Sequence, residues 1–489
     1  MAGNFNMTNA AELFSQLVGY GLNPTGDSDT SVILEKVGYF LDEEHRTIEE
    51  STAEELNGRT GLERSRAISS QLDIVRAFSL AAAQFDGGYV LAGMMGNGDS
   101  FIARDPNGIR PAYFLQTDEF IAAASERPPL ANVFDVDIDD VQPINPGHIL
   151  AIKRDGSVRH EPFIKEATPS HCTFERIYFS RGNDPAIYEE RKQLGRSLAP
   201  RVLDLIDHDV DHTVFSFIPN TAESAYLGMV EEVDHLMLRC RADRIWAAVE
   251  AGDITHEKLI ELAGSHIRAE RLAHKDQRLR TFITHDAARR DLVEHIYDIT
   301  RGVVNNDDNL VVIDDSIVRG TTLRESILTS LSRLNPKRII VVSSAPPIIY
   351  PDCYGIDMSQ LSRFIAFEAA VALLEDRGES SLLDEVEAKC LEQATLAPEK
   401  MVNQVGAIYD RFSLEELETK IGELLRPKHI PWEGQLDIIY QSVEGLQSAM
   451  PKTTGDWYFT GNYPTPGGYA VLNTSYLNWR QGQSSARAY

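Results

Sequence analysis

The stretch 310–322, LVVIDDSIVRGTT, constrains the fold of this chain more than any other. Leu310, Val311, Val312 and Ile313 form an unbroken apolar run, the pattern of a short parallel strand buried on both faces. Asp314 and Asp315 close it, and open α/β sheets hold their ligands at the carboxyl ends of their strands. Ser316, Ile317, Val318, Arg319, Gly320, Thr321 and Thr322 then make a turn, and the apolar spacing of 323–334 predicts a helix. A turn that opens a helix points backbone N–H groups at an anion. Two carboxylates beside it can hold sugar hydroxyls and a hard divalent cation. The pieces together suit a sugar phosphate. An apolar run ending in Asp-Asp also describes a plain strand followed by a solvated acidic turn.

Composition narrows the classes. A length of 489 residues predicts about three domains and leaves ample chain for a buried core. The formal charge of −27 speaks against nucleic-acid and anionic-membrane partners. In so acidic a chain a polyphosphate ligand needs a local basic pocket. The segment 274–283, HKDQRLRTFI, concentrates Lys275, Arg278 and Arg280, which suits either such a pocket or a strand edge guarded by cations. Cys172, Cys240, Cys353 and Cys390 are widely spaced and give no disulfide or zinc pattern. No secretory h-region, transit peptide or apolar run of membrane length is visible. The expectation is a cytoplasmic protein without a membrane partner.

In chain order, Asn4, Asn6, Thr8 and Asn9 precede an expected helix over 10–18, and a second helix is expected over 30–42. ARDPNGIRP, 103–111, reads as a Pro-Asn-Gly turn between two strands. Pro146-Gly147 and Asp155-Gly156 mark a connector over 145–169. A helix over 184–205 carries Leu194, Leu198 and Val202 at core spacing. Residues 213–218 form an apolar strand ending in PNTAE, 230–264 reads as helical, and 337–344, KRIIVVSS, is a further buried strand. Ser413 and Glu416 make a capping box.

DDSIVRGTT resembles the phosphoribosyl pyrophosphate (PRPP) loop of the type I phosphoribosyltransferases, in the form found in the glutamine PRPP amidotransferases. HCTFERIYFSRG (171–182), RTFI (280–283), APPIIYPDCYGIDM (345–358) and GNYP (461–464) resemble segments of the same family. So does the N-terminal stretch, which is similar to that family's N-terminal-nucleophile glutaminase domain. The resemblance implies an α/β fold with a doubly wound type I phosphoribosyltransferase sheet, plus a glutaminase domain of α+β sandwich type that is truncated at its start. It implies a glutaminase part over 1–165, a transferase part over 170–380, and a C-terminal helical region with a tail over 381–489.

What the resemblance implies for chemistry is the amidophosphoribosyltransferase reaction, the first step of de novo purine synthesis. PRPP and ammonia, or glutamine as its source, give phosphoribosylamine and pyrophosphate. Asp314 and Asp315 would bind ribose hydroxyls and Mg²⁺, residues 316–322 the 5-phosphate, and Lys275 and Arg280 the pyrophosphate. Asn4 and Asp29 match glutamine-site positions. The family's nucleophile is an N-terminal cysteine that would lie upstream of Asn4, so this chain alone is expected to use free ammonia. Some members hold an iron–sulfur cluster on four cysteines. Here the matching positions are Cys172, Asp352, Gly455 and Tyr458, and since such clusters need thiolates, none is expected. A homo-oligomer is expected. A non-catalytic PRPP sensor and a free-base phosphoribosyltransferase are the alternative readings.

Overall fold

The computed structural model describes residues 1–164, 168–264, 266–275, 297–320, 323–356 and 358–483. The first half is built on antiparallel strands: β1 (Ala2–Met7), β2 (Gly87–Met94), β3 (Ser100–Arg104), β4 (Tyr113–Gln116), β5 (Ile121–Ala124), β6 (Gln142–Pro143), β7 (His148–Ile152) and β8 (Val158–Pro162). Five of them form one sheet in the order β1-β2-β3-β7-β8, and β5-β4-β6 form a small second sheet. Helices Asp29–Ser51 and Ile74–Ala82 cover one face of the larger sheet, packing Ile33, Val37 and Phe78 on Leu91, Phe101 and Ile149. The first of these runs well beyond the expected 30–42. Its second half is charged and is tied down by Ile48, which is buried.

The second half holds β9 (Thr213–Phe217), β10 (Arg268–Ala269), β11 (Ala273–Lys275), β12 (Tyr297–Ile299), β13 (Asn309–Asp314), β14 (Arg338–Ser343) and β15 (Gln435–Tyr440). Five of these form a sheet in the order β10-β9-β13-β14-β15 with every pairing parallel. In chain order that is 2-1-3-4-5, a doubly wound arrangement. β15 comes from the stretch expected to be helical after 381.

Burial on both faces explains the apolar run of β13. Leu310 and Val312 join a core with Ile365, Leu374 and Ile421 of the helices Ile365–Asp376 and Leu414–Leu425. Val311 and Ile313 join Leu198, Val202 and Met229 of the helices Pro185–Leu205 and Glu223–Glu250. Each such side chain contributes about 1.5–3 kcal/mol through burial. The last two helices cross at two glycines. A Cβ on Gly195 would stand 1.8 Å from the Ala225 carbonyl oxygen, and one on Gly228 would stand 2.0 Å from that of Lys192. The expected helix over 323–334 is instead a π-helical turn, Leu323–Leu328, followed by one α-turn, Thr329–Ser332.

The two halves are tied by polar contacts. Arg110 pairs with Glu175, and both are largely buried. Asn6 donates through Nδ2 to the Cys353 carbonyl at 2.7 Å. Asp86 accepts from Thr465 Oγ1 at 2.5 Å and from Gly467 N at 2.9 Å. Among the described residues no helix is long and apolar enough to cross a membrane.

Candidate functional site

β9 and β13 lie side by side, yet the chain leaves β9 toward β10 and β13 toward β14. Their carboxyl ends therefore open a crevice at the topological switch point, where doubly wound sheets bind ligands. A cavity of about 960 Å³ fills that crevice. Asp314, Asp315 and the turn after them line it, facing Asn220 and Thr221 from the loop after β9. Asn4, Arg110 and Glu126 reach it from the antiparallel half, so the cavity spans the junction.

The acidic pair is held tightly. Asp314 Oδ1 accepts from the Asp315 N–H at 2.9 Å, and the Ser316 hydroxyl donates to Asp315 Oδ1 at 2.9 Å. Ser344 fixes the backbone, donating through N to the Asp314 carbonyl at 2.9 Å and through Oγ to that of Asp315 at 3.2 Å. Burial, and then the neighbouring Asp315, pushes Asp314 well above the usual carboxylate range. Burial also raises Asp315, against the pull of Ser316 and Arg191. The pair therefore holds protons more avidly than exposed aspartates do.

The following turn is shaped for close approach. Val318 accepts through its carbonyl from the Ile365 N–H at 3.0 Å. Gly320 sits at φ 66°, and a Cβ there would lie 2.8 Å from Leu425, so both conformation and space require glycine. Ser316, Ile317, Val318, Arg319 and Gly320 all line the cavity. Thr321, Thr322 and Arg280 fall outside the described residues. Lys275 pairs in β11 with Tyr297 of β12, and Tyr297 lines the cavity. Asn4 lies in β1 opposite Val90 and lines the same cavity. Asp29 lies away from it, half-buried in the first turn of Asp29–Ser51, where it accepts from the Thr30 N–H at 2.7 Å.

Sequence reasoning missed several residues of the site. Tyr178, from the turn Glu175–Phe179, and Tyr297 face the acidic pair. Burial and those two carboxyls push both phenols up, Tyr297 to about 12. Arg191 sits behind Thr221 on Pro185–Leu205 and is 4% exposed. A signal for it was present: 191, 194, 198 and 202 share one face of that helix, so a cation stands on a stripe otherwise given to the core.

The donor set at Asp314 and Asp315 fits Mg²⁺, a hard ion that takes one or two carboxylates and completes its shell with substrate oxygens and water. Among the described residues no cluster of three or more ligating side chains offers a protein-only cage. The four positions that match a cluster-binding set do come together. Cys172 forms a β-bridge with Gly455, Tyr458 donates to Asp352 Oδ1 at 2.6 Å, and the Cys172 sulfur lies 3.8 Å from the Tyr458 hydroxyl. Asp352 Oδ2 also accepts from the N–H groups of Tyr354 and Ile356 at 2.9 and 2.7 Å. Burial pushes the Cys172 thiol up to about 12. One protonated thiol and a satisfied carboxylate do not fit an iron–sulfur cluster.

No protein-family model matches the chain. Among curated proteins, the amidophosphoribosyltransferase of Bacillus subtilis is 27% identical over 419 residues, covering 84% of this chain and 70% of that protein. That of Pseudomonas aeruginosa is 26% identical, covering 75% and 64%. That of Methanocaldococcus jannaschii is 28% identical, covering 62% and 59%. The chain thus spans less than two thirds of the latter two proteins. Of solved structures, glutamine PRPP amidotransferase from B. subtilis complexed with ADP and GMP superimposes with a TM-score of 0.57 at 24% identity, covering 95% of this chain and 76% of that one. A structure described as the allosteric regulatory enzyme of purine biosynthesis gives 0.59 at 23%, covering 97% and 77%. The chain is a distant relative of the amidophosphoribosyltransferases and shares their fold over most of its length.

Proposed function

We propose that the chain transfers the phosphoribosyl group of PRPP to ammonia, releasing pyrophosphate and forming phosphoribosylamine. The observation that carries this reading is the acidic pair Asp314–Asp315, set at the switch point in a cavity that reaches the antiparallel half. Asp314 and Asp315 bind the ribose hydroxyls, and the turn that starts at Ser316 takes the 5-phosphate on its backbone N–H groups. Lys275 and Arg280 bring positive charge to the pyrophosphate. Asp314 and Asp315 would hold Mg²⁺, which would supply further positive charge to the substrate. As the bond from ribose C1 to pyrophosphate breaks, positive charge grows on the ring. Carboxylates on the ribose hydroxyls favour that change, so most of the work is positioning and electrostatics.

For this chain alone, free ammonia is the nitrogen donor in this reading. None of the four cysteines lines the cavity that Asn4 and Asp314 share, and a thiol raised to about 12, as in Cys172, is a poor nucleophile near neutrality. The test is pyrophosphate release from PRPP with ammonium, with glutamine, and with free purine bases. Turnover with ammonium is expected. PRPP binding without turnover under any condition points to a sensor, and turnover with a base alone points to a base transferase. Asp314→Asn together with Asp315→Asn is expected to abolish PRPP binding in Mg²⁺ while the protein stays folded. Unchanged affinity by calorimetry in the folded double variant overturns the site assignment.

A further inference from the structure

Beside the main cavity lies a second, of about 590 Å³, that shares Asn220 and Thr221 with it as a common wall. Arg191 lines this annex although its side chain is almost wholly buried. Its Nε donates to the Arg176 carbonyl at 2.9 Å and its Nη2 to the Ser180 carbonyl at 2.6 Å. Among the described residues Nη1 has no hydrogen-bond partner, and the guanidinium forms no ion pair. The nearby cation Arg176 is already held by Glu190, at 2.5 and 2.7 Å. Burial pulls Arg191 down to about 10, helped by the nearby Arg176 and only partly offset by Asp315, Glu126 and Glu190.

A buried cation that no carboxylate contacts directly is costly, and the cost falls if a ligand brings an anion into contact. The geometry says which part of the ligand would do so. The turn from Ser316 to Gly320 follows the acidic pair at the end of β13, and Asn220 and Thr221 follow the neighbouring strand β9, all of them on the cavity. Thr221 also lies beside Asp315 and helps to hold its charge. With the ribose on the pair and the 5-phosphate on the turn after β13, the Asn220–Thr221 wall after β9 is left for the remaining anionic arm.

We propose that Arg191 is a fixed positive charge for the diphosphate arm of the substrate, acting at the wall between the cavity and its annex. This rests on the reading of the cavity as a PRPP site. The competing role is a structural peg, in which the two carbonyl bonds merely hold the turn Glu175–Phe179 in place.

Two variants separate these roles. Arg191→Gln removes the charge. Gly182→Asp keeps Arg191 and both carbonyl bonds but neutralises the guanidinium from inside the protein, because a Cβ at Gly182 lies 3.4 Å from Nη1 and 3.8 Å from the Ser224 hydroxyl. Inorganic pyrophosphate and ribose 5-phosphate are titrated separately into the full chain at fixed Mg²⁺. In both variants pyrophosphate is expected to bind about tenfold more weakly or worse, as for loss of a charge-assisted contact, with ribose 5-phosphate changed by less than about twofold. If Arg191→Gln does not fold, Gly182→Asp decides. Unchanged pyrophosphate affinity in a folded variant, or equal losses for both ligands, overturns the proposal. Wild-type protein that binds ribose 5-phosphate but not pyrophosphate also overturns it, while leaving the PRPP reading standing. Binding of neither overturns both.

Discussion

Lys36 is a second buried cation, and its situation differs from that of Arg191. It is 1% exposed, donates to Gln16 Oε1 at 2.8 Å, lies 5.8 Å from the Phe85 ring centroid and lines none of the cavities described above. Burial lowers its pKa, so the folded state binds its proton less readily than the unfolded chain does. The cost is fully present at pH values below the lowered pKa. Stability then rises with pH and the cost is gone above the unfolded value of about 10.4. Lys36→Met is therefore expected to raise the melting temperature near neutrality, with the gain vanishing above about pH 10.4. Thermal melts of both proteins across pH check this, and a gain independent of pH refutes it. At this scale the sequence was a partial guide. Asp314 and Asp315 were legible because their place after an apolar run has few meanings. Tyr178 and Tyr297 were not, because nothing near either residue records which distant side chains it will face.

The elements that carry the site are held by packing as much as by hydrogen bonds. Gly195 stands one turn beyond Arg191 on the same helix, and its contact with Ala225 sets that helix against the one that follows the Asn220–Thr221 loop. Gly195→Ala forces a methyl group into a carbonyl. It is expected to cost about 1–3 kcal/mol or more, read by chemical denaturation, and to raise the KM for PRPP by shifting Arg191 from that loop. Wild-type stability in this variant would show that the helices can part freely. Buried strands were the most legible elements, since β9, β13 and β14 each present runs that only a sheet covered on both faces can bury. Their order was not legible, because apolar periodicity gives burial and not neighbours. The stretch after 381 read as helical, yet its strand β15 pairs with β14 at the sheet edge. The π-helical turn after the acidic pair carries the same apolar residues as an α-helix would, so spacing alone does not distinguish the two.

At the scale of the whole molecule, the junction decides whether the cavity exists. Arg110 comes from one half and Glu175 from the other, with side chains 5% and 12% exposed. Removing one member of a buried pair typically costs about 3–5 kcal/mol, because the other charge is left uncompensated. Arg110→Met is expected to lose stability on that order and to split a single calorimetric transition into two as the halves uncouple. A single transition at the wild-type temperature would show that the pair does not join them. Asp86 makes a second clasp. It takes bonds from Thr8 in its own half and from Thr465, 379 positions along the chain. During synthesis, at about 5–20 residues per second, that gap corresponds to roughly 20–75 s. Until then the emerging first half has no partner for one side of Asp86, although Arg110 already has Glu175 and the Tyr354 carbonyl to close against. The lining of the pocket is complete once the chain reaches Met358, well before Thr465 arrives, so the ribosome delivers the ligand's walls first and the clasp that joins them last.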